Sequence, residues 1–360
     1  MTAPIVAHVV QHLRYGGIES LGLEMLAAEG GRGRQIVIAL DGDGEAAVGA
    51  WPRLAPVADR LRFMGKPEGL APTLPLRLAR LLRRERVEVV QTHHVGPLLY
   101  GGVAARLAGA RLVHVEHDAW HLDDPGRARL MRRLVRLLRP RLAAVSDGVA
   151  GKAGATLGAP VAIVRNGVDL DRFAPGAKTA ARAALGLADL GDAPLVVCAA
   201  RLERVKGVDV LIEAMADAPP AATLAIAGDG SERSALEALA EARAPGRVRF
   251  LGRIDATPDL FRAGDVGALP SRAEGLPLSL LEAQAAGLPV VATAVGGVAD
   301  AVDPDTGLLV PADDPVALAS ALRDALARRG APSPRPFIAA RFGMTAMMDA
   351  YARLWSGAAA

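Results

Sequence analysis

Residues 270–297 read PSRAEGLPLSLLEAQAAGLPVVATAVGG. The apolar run DVGALPS leads into this stretch and PVVATAV closes it, so it reads as strand, loop, helix and strand in close succession. Short apolar strands joined by a helix imply a parallel pair in a sheet covered on both faces. Pro277 suits the first helical position, because its fixed φ fits and its missing N–H is not needed there. The N–H groups from Leu276 to Ser279 then lack intrahelical partners and form a seat for an anion. Glu274 lies in the loop, Glu282 lies more than a turn into the helix, and Gly275, Leu276 and Pro277 stand between them. A carboxylate, an anion seat and a second carboxylate suit a nucleotide sugar, with a diphosphate in the middle and hydroxyl-rich rings at both ends. An ordinary surface helix with two unrelated acids has the same spacing, so spacing alone leaves both readings open.

The same alternation runs outward in both directions. IVAHVV, RQIVIAL, RLRFM, VEVVQTH, RLVHVEH, LAAVS and VAIVRN read as strands in the first half. LVVCAA, TLAIAGD, VRFLGR, DVGALPS, PVVATAV and GLLVP follow in the second. Helical segments are expected at 18–29, 72–86, 97–107, 127–138 and 147–157, then from Lys206, Ser231, Thr257, Pro277 and Pro315. The chain has 360 residues, too many for one typical core. We therefore expect two doubly wound α/β domains, at 1–175 and 176–340, with a final helix at 341–360. Gly, Ala, Pro and charged residues replace the strand pattern at 169–194, as a linker with a short helix would. Two such domains would turn the C-terminal ends of their strands towards a shared cleft.

Half the residues are hydrophobic and the net charge is +3, a globular composition and not a disordered one. No run reaches the roughly 18 to 20 uncharged apolar residues of a spanning helix. The first residues lead directly into a strand, with no basic and apolar leader. Cys198 is the sole cysteine and sits in an apolar run, so no disulfide framework is expected. A cytoplasmic protein is expected, with no nucleic-acid partner. Lysine occurs only at Lys66, Lys152, Lys178 and Lys206; every other basic side chain apart from histidine is arginine. Arg77, Arg80, Arg83, Arg84 and Arg86 form one cluster. Arg127, Arg129, Arg132, Arg133, Arg136, Arg139 and Arg141 form another, without an intervening acid and with Leu130, Leu134, Leu137 and Leu138 at helical spacing. A basic amphipathic helix can rest on an anionic membrane surface at the inner face or attract an anionic acceptor. A merely solubilising face would mix signs.

Several motifs fall at strand ends. Gly16-Gly17 follows the first strand, and paired glycines let a ligand approach the backbone. Gly42-Asp43-Gly44-Glu45-Ala46-Ala47 formally fits a dinucleotide fingerprint, but it follows the wrong strand and carries acids that repel a pyrophosphate; we read a surface turn. Glu116-His117-Asp118 ends the strand RLVHVEH, and a neutral imidazole both donates and accepts towards hydroxyls. His93-His94 ends another strand. The histidines lack zinc spacing and cysteine partners, so no metal site is expected. Arg201 and Lys206 follow LVVCAA, where two cations beside a helix start would neutralise a departing diphosphate. Asn166-Gly167-Val168-Asp169 reads as a tight turn, Ser146 as a strand-end polar group, and Gly228-Asp229-Gly230 as a glycine-flanked loop after TLAIA.

Taken with its Gly-Leu-Pro context, the pair Glu274 and Glu282 resembles the E-x7-E signature of the family four retaining glycosyltransferases. The resemblance extends over nearly the whole chain through Gly16-Gly17, His117-Asp118, Arg201, Lys206, Gly228 and the Asn166 turn, although Arg165 stands where that turn usually has proline. It implies a GT-B fold, with the last helix returning to the first domain. It also implies a retaining sugar transfer from a nucleotide diphosphate donor, UDP- or GDP-linked, to a lipid-linked or glycan acceptor, with no further cofactor. Glu274 and His117 would meet the sugar, Glu282 the ribose, and Arg201 and Lys206 the diphosphate. Gly16-Gly17 would close over donor and acceptor, and Gly228 would lie where the base approaches. Two other classes share the architecture: a nucleotide-sugar epimerase, distinguished by epimer formation from donor alone, and a silent binding subunit, against which the intact motif set speaks.

Overall fold

The computed structural model describes residues 3–30, 32–328 and 332–357. Met1 and Thr2, where the leader was sought, and Ala358, Ala359 and Ala360 of the expected final helix lie outside them. Contacts divide the chain into an N-terminal unit, residues 1–166 with 344–360, and a C-terminal unit, residues 167–343.

The N-terminal unit holds a seven-stranded sheet of β1 (Val6–Val10), β2 (Gln35–Ala39), β3 (Leu61–Phe63), β4 (Val89–His93), β5 (Arg111–Glu116), β6 (Arg141–Ala144) and β7 (Val161–Ile163). Its order is β3-β2-β1-β4-β5-β6-β7, and every pairing is parallel. The C-terminal unit holds β8 (Leu195–Ala199), β9 (Thr223–Ala227), β10 (Val248–Gly252), β11 (Val266–Leu269), β12 (Val290–Thr293) and β13 (Leu308–Val310). They are ordered β10-β9-β8-β11-β12-β13 and are again all parallel. Residues in β1, β2, β4, β9, β11 and β12 are buried throughout. Burial on both faces is why these strands read as continuous apolar runs and not as alternating ones.

In each sheet the winding reverses beside its first strand, between β1 and β4 and between β8 and β11. Loops leaving the C-terminal ends of such a strand pair run apart and leave a crevice. Each unit therefore has its own defined place for a ligand.

Some elements differ from the sequence expectation. Residues 44–50 form a helix, Gly44–Ala50, where we read a turn. Asp43 caps it through Oδ1, which accepts from the Glu45 and Ala46 N–H groups. Its small, mixed residues give no apolar stripe, so only the cap signalled it. Residues 169–194 contain the helix Lys178–Ala184 as expected, but they belong to the body of the C-terminal unit. There Arg182, only 2% exposed, binds Asp265 and the Ala263 carbonyl. The tail breaks at Gly343 into Arg335–Arg341 and Met344–Ser356. The latter packs its Trp355 into the N-terminal unit, where Nε1 donates to Gln91 Oε1 at 2.8 Å. Among the described residues, no helix is long and apolar enough to cross a membrane.

Candidate functional site

In the C-terminal unit, the loop after β8 and the loop after β11 meet through one ion pair. Lys206 Nζ donates to Glu274 Oε1 at 2.6 Å, and Ser271 Oγ donates to the same oxygen at 2.7 Å. The two charged side chains are 19% and 8% exposed, so little water screens them. Arg272 clamps the surroundings. Its guanidinium takes both carboxylate oxygens of Asp209 at 2.9 and 2.7 Å, Asp313 at 2.6 Å and the Arg204 carbonyl. Burial opposes ionisation of Asp209, yet the Arg272 bonds hold its pKa below the ordinary value, while those bonds and Asp313 raise that of Arg272. Underneath, burial pushes the Cys198 thiol up to about 12; it is a core residue, as expected.

Two glycines let the loops nest. Gly296, at φ +54°, lies so close to the Glu274 carbonyl that a Cβ would overlap it, and Gly297 N–H donates to Gly275 O at 2.9 Å. Gly228, at φ +144°, lies equally close to the Ala200 carbonyl. A backbone contact is thus enough to require glycine there.

Pro277 is the N-cap of the helix Leu278–Ala285, with ψ 124°, and not its first residue. Helical geometry starts at Leu278, and no side chain caps the helix. The anion seat of the sequence reading thus moves one residue on, to the N–H groups that open this helix. Its far end is fixed by Gln284, which donates to the Ala301 carbonyl and accepts from Asp303 N–H. Glu282 is half-buried on the helix, Leu276 is buried, and Ser279 borders a void of about 10 Å³ with Val197 and Ala199. Arg201 pairs within its own loop. Its side chain is 57% exposed and bonded to Glu203 at 2.8 Å.

The N-terminal unit has a cluster of its own, and all seven histidines of the chain lie in that unit. His93, the last residue of β4, shares a hydrogen bond with His117: Nδ1 of one lies 2.7 Å from Nε2 of the other. Burial pushes His117 down to about 3 and His93 well below its usual value, so both are neutral. Asp118 Oδ1 accepts from His121 Nδ1 at 3.1 Å, and Glu116 lies 3.3 Å from His114 and 3.5 Å from His121. Burial opposes the charge on both Asp118 and His121, but their mutual contact lowers the pKa of the acid and raises that of the imidazole. Sequence reasoning singled out His117 and Asp118, placed His93-His94 at a strand end without pairing either with His117, and missed His121. The His93-His94 doublet at a strand end was the available signal. No group of three or more metal-ligating side chains is arranged to hold an ion among the described residues.

Gly16 is the N-cap of the helix Gly17–Ala27. A Cβ on Gly16 would strike the carboxylate of Glu19, an acid already lying at that helix start. Ser146, expected as a strand-end polar group, is 1% exposed and caps the helix Asp147–Leu157, accepting from Val149 N–H. Asn166 is buried at the unit boundary, and after it Val168 N–H donates to the Phe342 carbonyl. Arg165, which replaces proline, pairs with Asp147. A further group unread from sequence joins the ends of β1, β2 and β3: Gln11 donates to Asp41 at 2.7 Å, and Lys66 lies 3.8 Å from Asp41 and 5.8 Å from the Tyr100 ring centre.

Comparison with known proteins places this geometry in context. The profile described as Glycosyltransferase Family 4 matches residues 15–172, and that described as Glycosyl transferases group 1 matches residues 193–328. A D-inositol 3-phosphate glycosyltransferase of Xylanimonas cellulosilytica is 33% identical over 94% of this chain and 92% of its own length. A GDP-mannose-dependent monoacylated alpha-(1-6)-phosphatidylinositol monomannoside mannosyltransferase of Corynebacterium glutamicum is 32% identical over 68% of each. Two relatives with higher local identity, 42% and 40%, are matched over only 40% and 45% of their own lengths. Among solved structures, Anabaena HepE in complex with UDP-glucose superposes with a TM-score of 0.83 at 22% identity, covering 98% of this chain and 100% of that one.

Proposed function

Because the chain belongs to glycosyltransferase family four, we propose that it moves a sugar from a nucleotide diphosphate donor to an acceptor hydroxyl, retaining the anomeric configuration. Its fold is GT-B. The observation that carries the reading is the Lys206–Glu274 pair, set where the sheet of the C-terminal unit reverses and next to an uncapped helix start. In this reading the diphosphate sits against the N–H groups of that helix. The Lys206 ammonium exchanges its carboxylate for the phosphates as negative charge develops on the leaving group. Glu274, released, faces the sugar, and Ser271 keeps it in place. Glu282 holds the ribose, Gly228 lies where the base approaches, and His117 takes a sugar hydroxyl. Arg201 swings from Glu203 to the diphosphate; as an exposed surface pair, that contact costs little to break. The acceptor hydroxyl attacks the anomeric carbon from the face the nucleoside diphosphate leaves, the new glycosidic bond forms as the bond to the phosphate oxygen breaks, and a phosphate oxygen takes the proton of the acceptor.

The acceptor is a polyol or lipid-linked glycan. Support comes from the inositol phosphate and phosphatidylinositol mannoside named for the two relatives. It also comes from the helix Pro125–Leu138, which exposes Leu130 (42%) and Leu137 (72%) among Arg129, Arg133 and Arg136. Apolar side chains among cations suit an anionic membrane surface, and this helix is where we place the peripheral contact. The test is a thermal-shift panel of UDP- and GDP-sugars followed by transfer assays, with lysates and lipid extracts as acceptor sources. A donor that stabilises the protein and is consumed only with acceptor supports the transferase. Epimer formation from donor alone, or no stabilisation by any nucleotide sugar, would reject it.

A further inference from the structure

His93 is 4% exposed and too enclosed to reach a substrate, yet it bonds the one histidine assigned to the sugar. We propose that His93 is a positioning residue that fixes the tautomer of His117, so that the remaining ring nitrogen of His117 meets the substrate with a single hydrogen-bonding character. The inference rests on the reading of His117 as a sugar contact.

A nitrogen–nitrogen contact of 2.7 Å admits one proton. Two N–H groups would collide, and two lone pairs would repel. Each neutral imidazole carries one N–H, so the rings must be complementary: if His93 Nδ1 donates, His117 Nε2 accepts and His117 Nδ1 carries the proton, or the reverse. The contact with His93 occupies Nε2 of His117, so Nδ1 is the ring nitrogen left for a ligand. The pairing thus ties the tautomer of His117 to that of His93, and it lasts only while the His93 ring keeps its place. Its ring stacks on His8 at 5.9 Å. His8 in turn is held by Gln35 at 2.9 Å and by the edge of Trp355 at 6.0 Å. The charged and titratable groups facing the pair are His8 from β1, His94 beside it, His114, Glu116 and Asp118 from the β5 segment, and His121 beyond. Burial keeps His93 and His117 neutral against the nearby acids, so the complementary arrangement survives across the neutral pH range.

The pairing has a consequence that a purely structural contact lacks: His93 matters to transfer only while His117 is present. In a double-mutant cycle we expect His93→Phe to lower kcat/KM about tenfold, roughly the worth of one hydrogen bond, and to change it less than about twofold in a His117→Ala background. Equal losses in both backgrounds would overturn the proposal. Long-range ¹⁵N–¹H spectra of the ligand-free protein give the second readout. One tautomer of His117 in the wild type and two in exchange in His93→Phe support it; an unchanged single tautomer refutes it. If His117→Ala transfers sugar at the normal rate, the sugar contact is what fails, and the spectra still judge the pair.

Discussion

Lys206 and Glu274 each leave a largely buried charge behind when the other is removed, and such losses are severe. We expect Lys206→Ala to lower turnover at least about a hundredfold, in line with the 2 to 4 kcal/mol typical of one contact to a developing charge. Glu274→Gln, which keeps shape and hydrogen bonding, should retain the fold and lose a similar factor. Steady-state kinetics on purified variants with matched circular dichroism checks both. The histidines set a pH dependence. His8 and His117 have pKa values lowered from 6.5 to about 4 and about 3 by burial. The unfolded chain therefore binds their protons first as pH falls, so their contribution to stability is complete above about pH 6.5 and erodes down towards pH 4 to 3. The slope is at most about 1.4 kcal/mol per pH unit for each. Thermal melts between pH 7 and 5 should fall steeply, and His8→Gln should flatten them. At this scale the sequence displayed the residues but not their pairings. Arg201 meets Glu203 two positions away, which local spacing could have suggested. The His93–His117 bond joins the ends of two strands and is legible only once β4 and β5 are known to be neighbours.

All the strands were legible, because buried parallel strands are written as apolar runs between turn residues. Helix boundaries were less so, as Pro277 shows: a proline serves equally as cap or first residue, and only the backbone decides. Loops carry the remaining information. Gly296 holds the Glu274 loop by having no side chain. Gly296→Ala should push that loop away and weaken nucleoside diphosphate binding at least about tenfold while costing roughly 1 to 3 kcal/mol of stability, measurable by calorimetry and thermal melts. Arg272 does the same work by attraction, tying the loop after β11 to Asp209. Nothing in its sequence context marked it, since both acids it binds are remote along the chain.

The two units share a winding pattern and divide their chemistry, with the histidines in one and the Lys206–Glu274 pair in the other. The arginine-rich helix was apparent from composition; that Leu130 and Leu137 stay uncovered while Leu134 and Leu138 go into the core was not, since helical spacing alone does not say which leucines find partners. Flotation with anionic vesicles at low salt should carry the protein upward, and Leu130→Ser with Leu137→Ser should leave it behind, whereas neutral vesicles should not bind either form.

Trp355 reaches Gln91 across 264 residues of chain. A ribosome that has finished every strand of the N-terminal sheet has therefore not yet delivered the piece that covers His8 and Gln91. That sheet must wait, incompletely wrapped, while the entire second unit is synthesised. A nascent chain stalled anywhere before Trp355 should offer chaperones an open apolar and imidazole-lined flank. Removing the Trp355 side chain should loosen the oldest part of the molecule first.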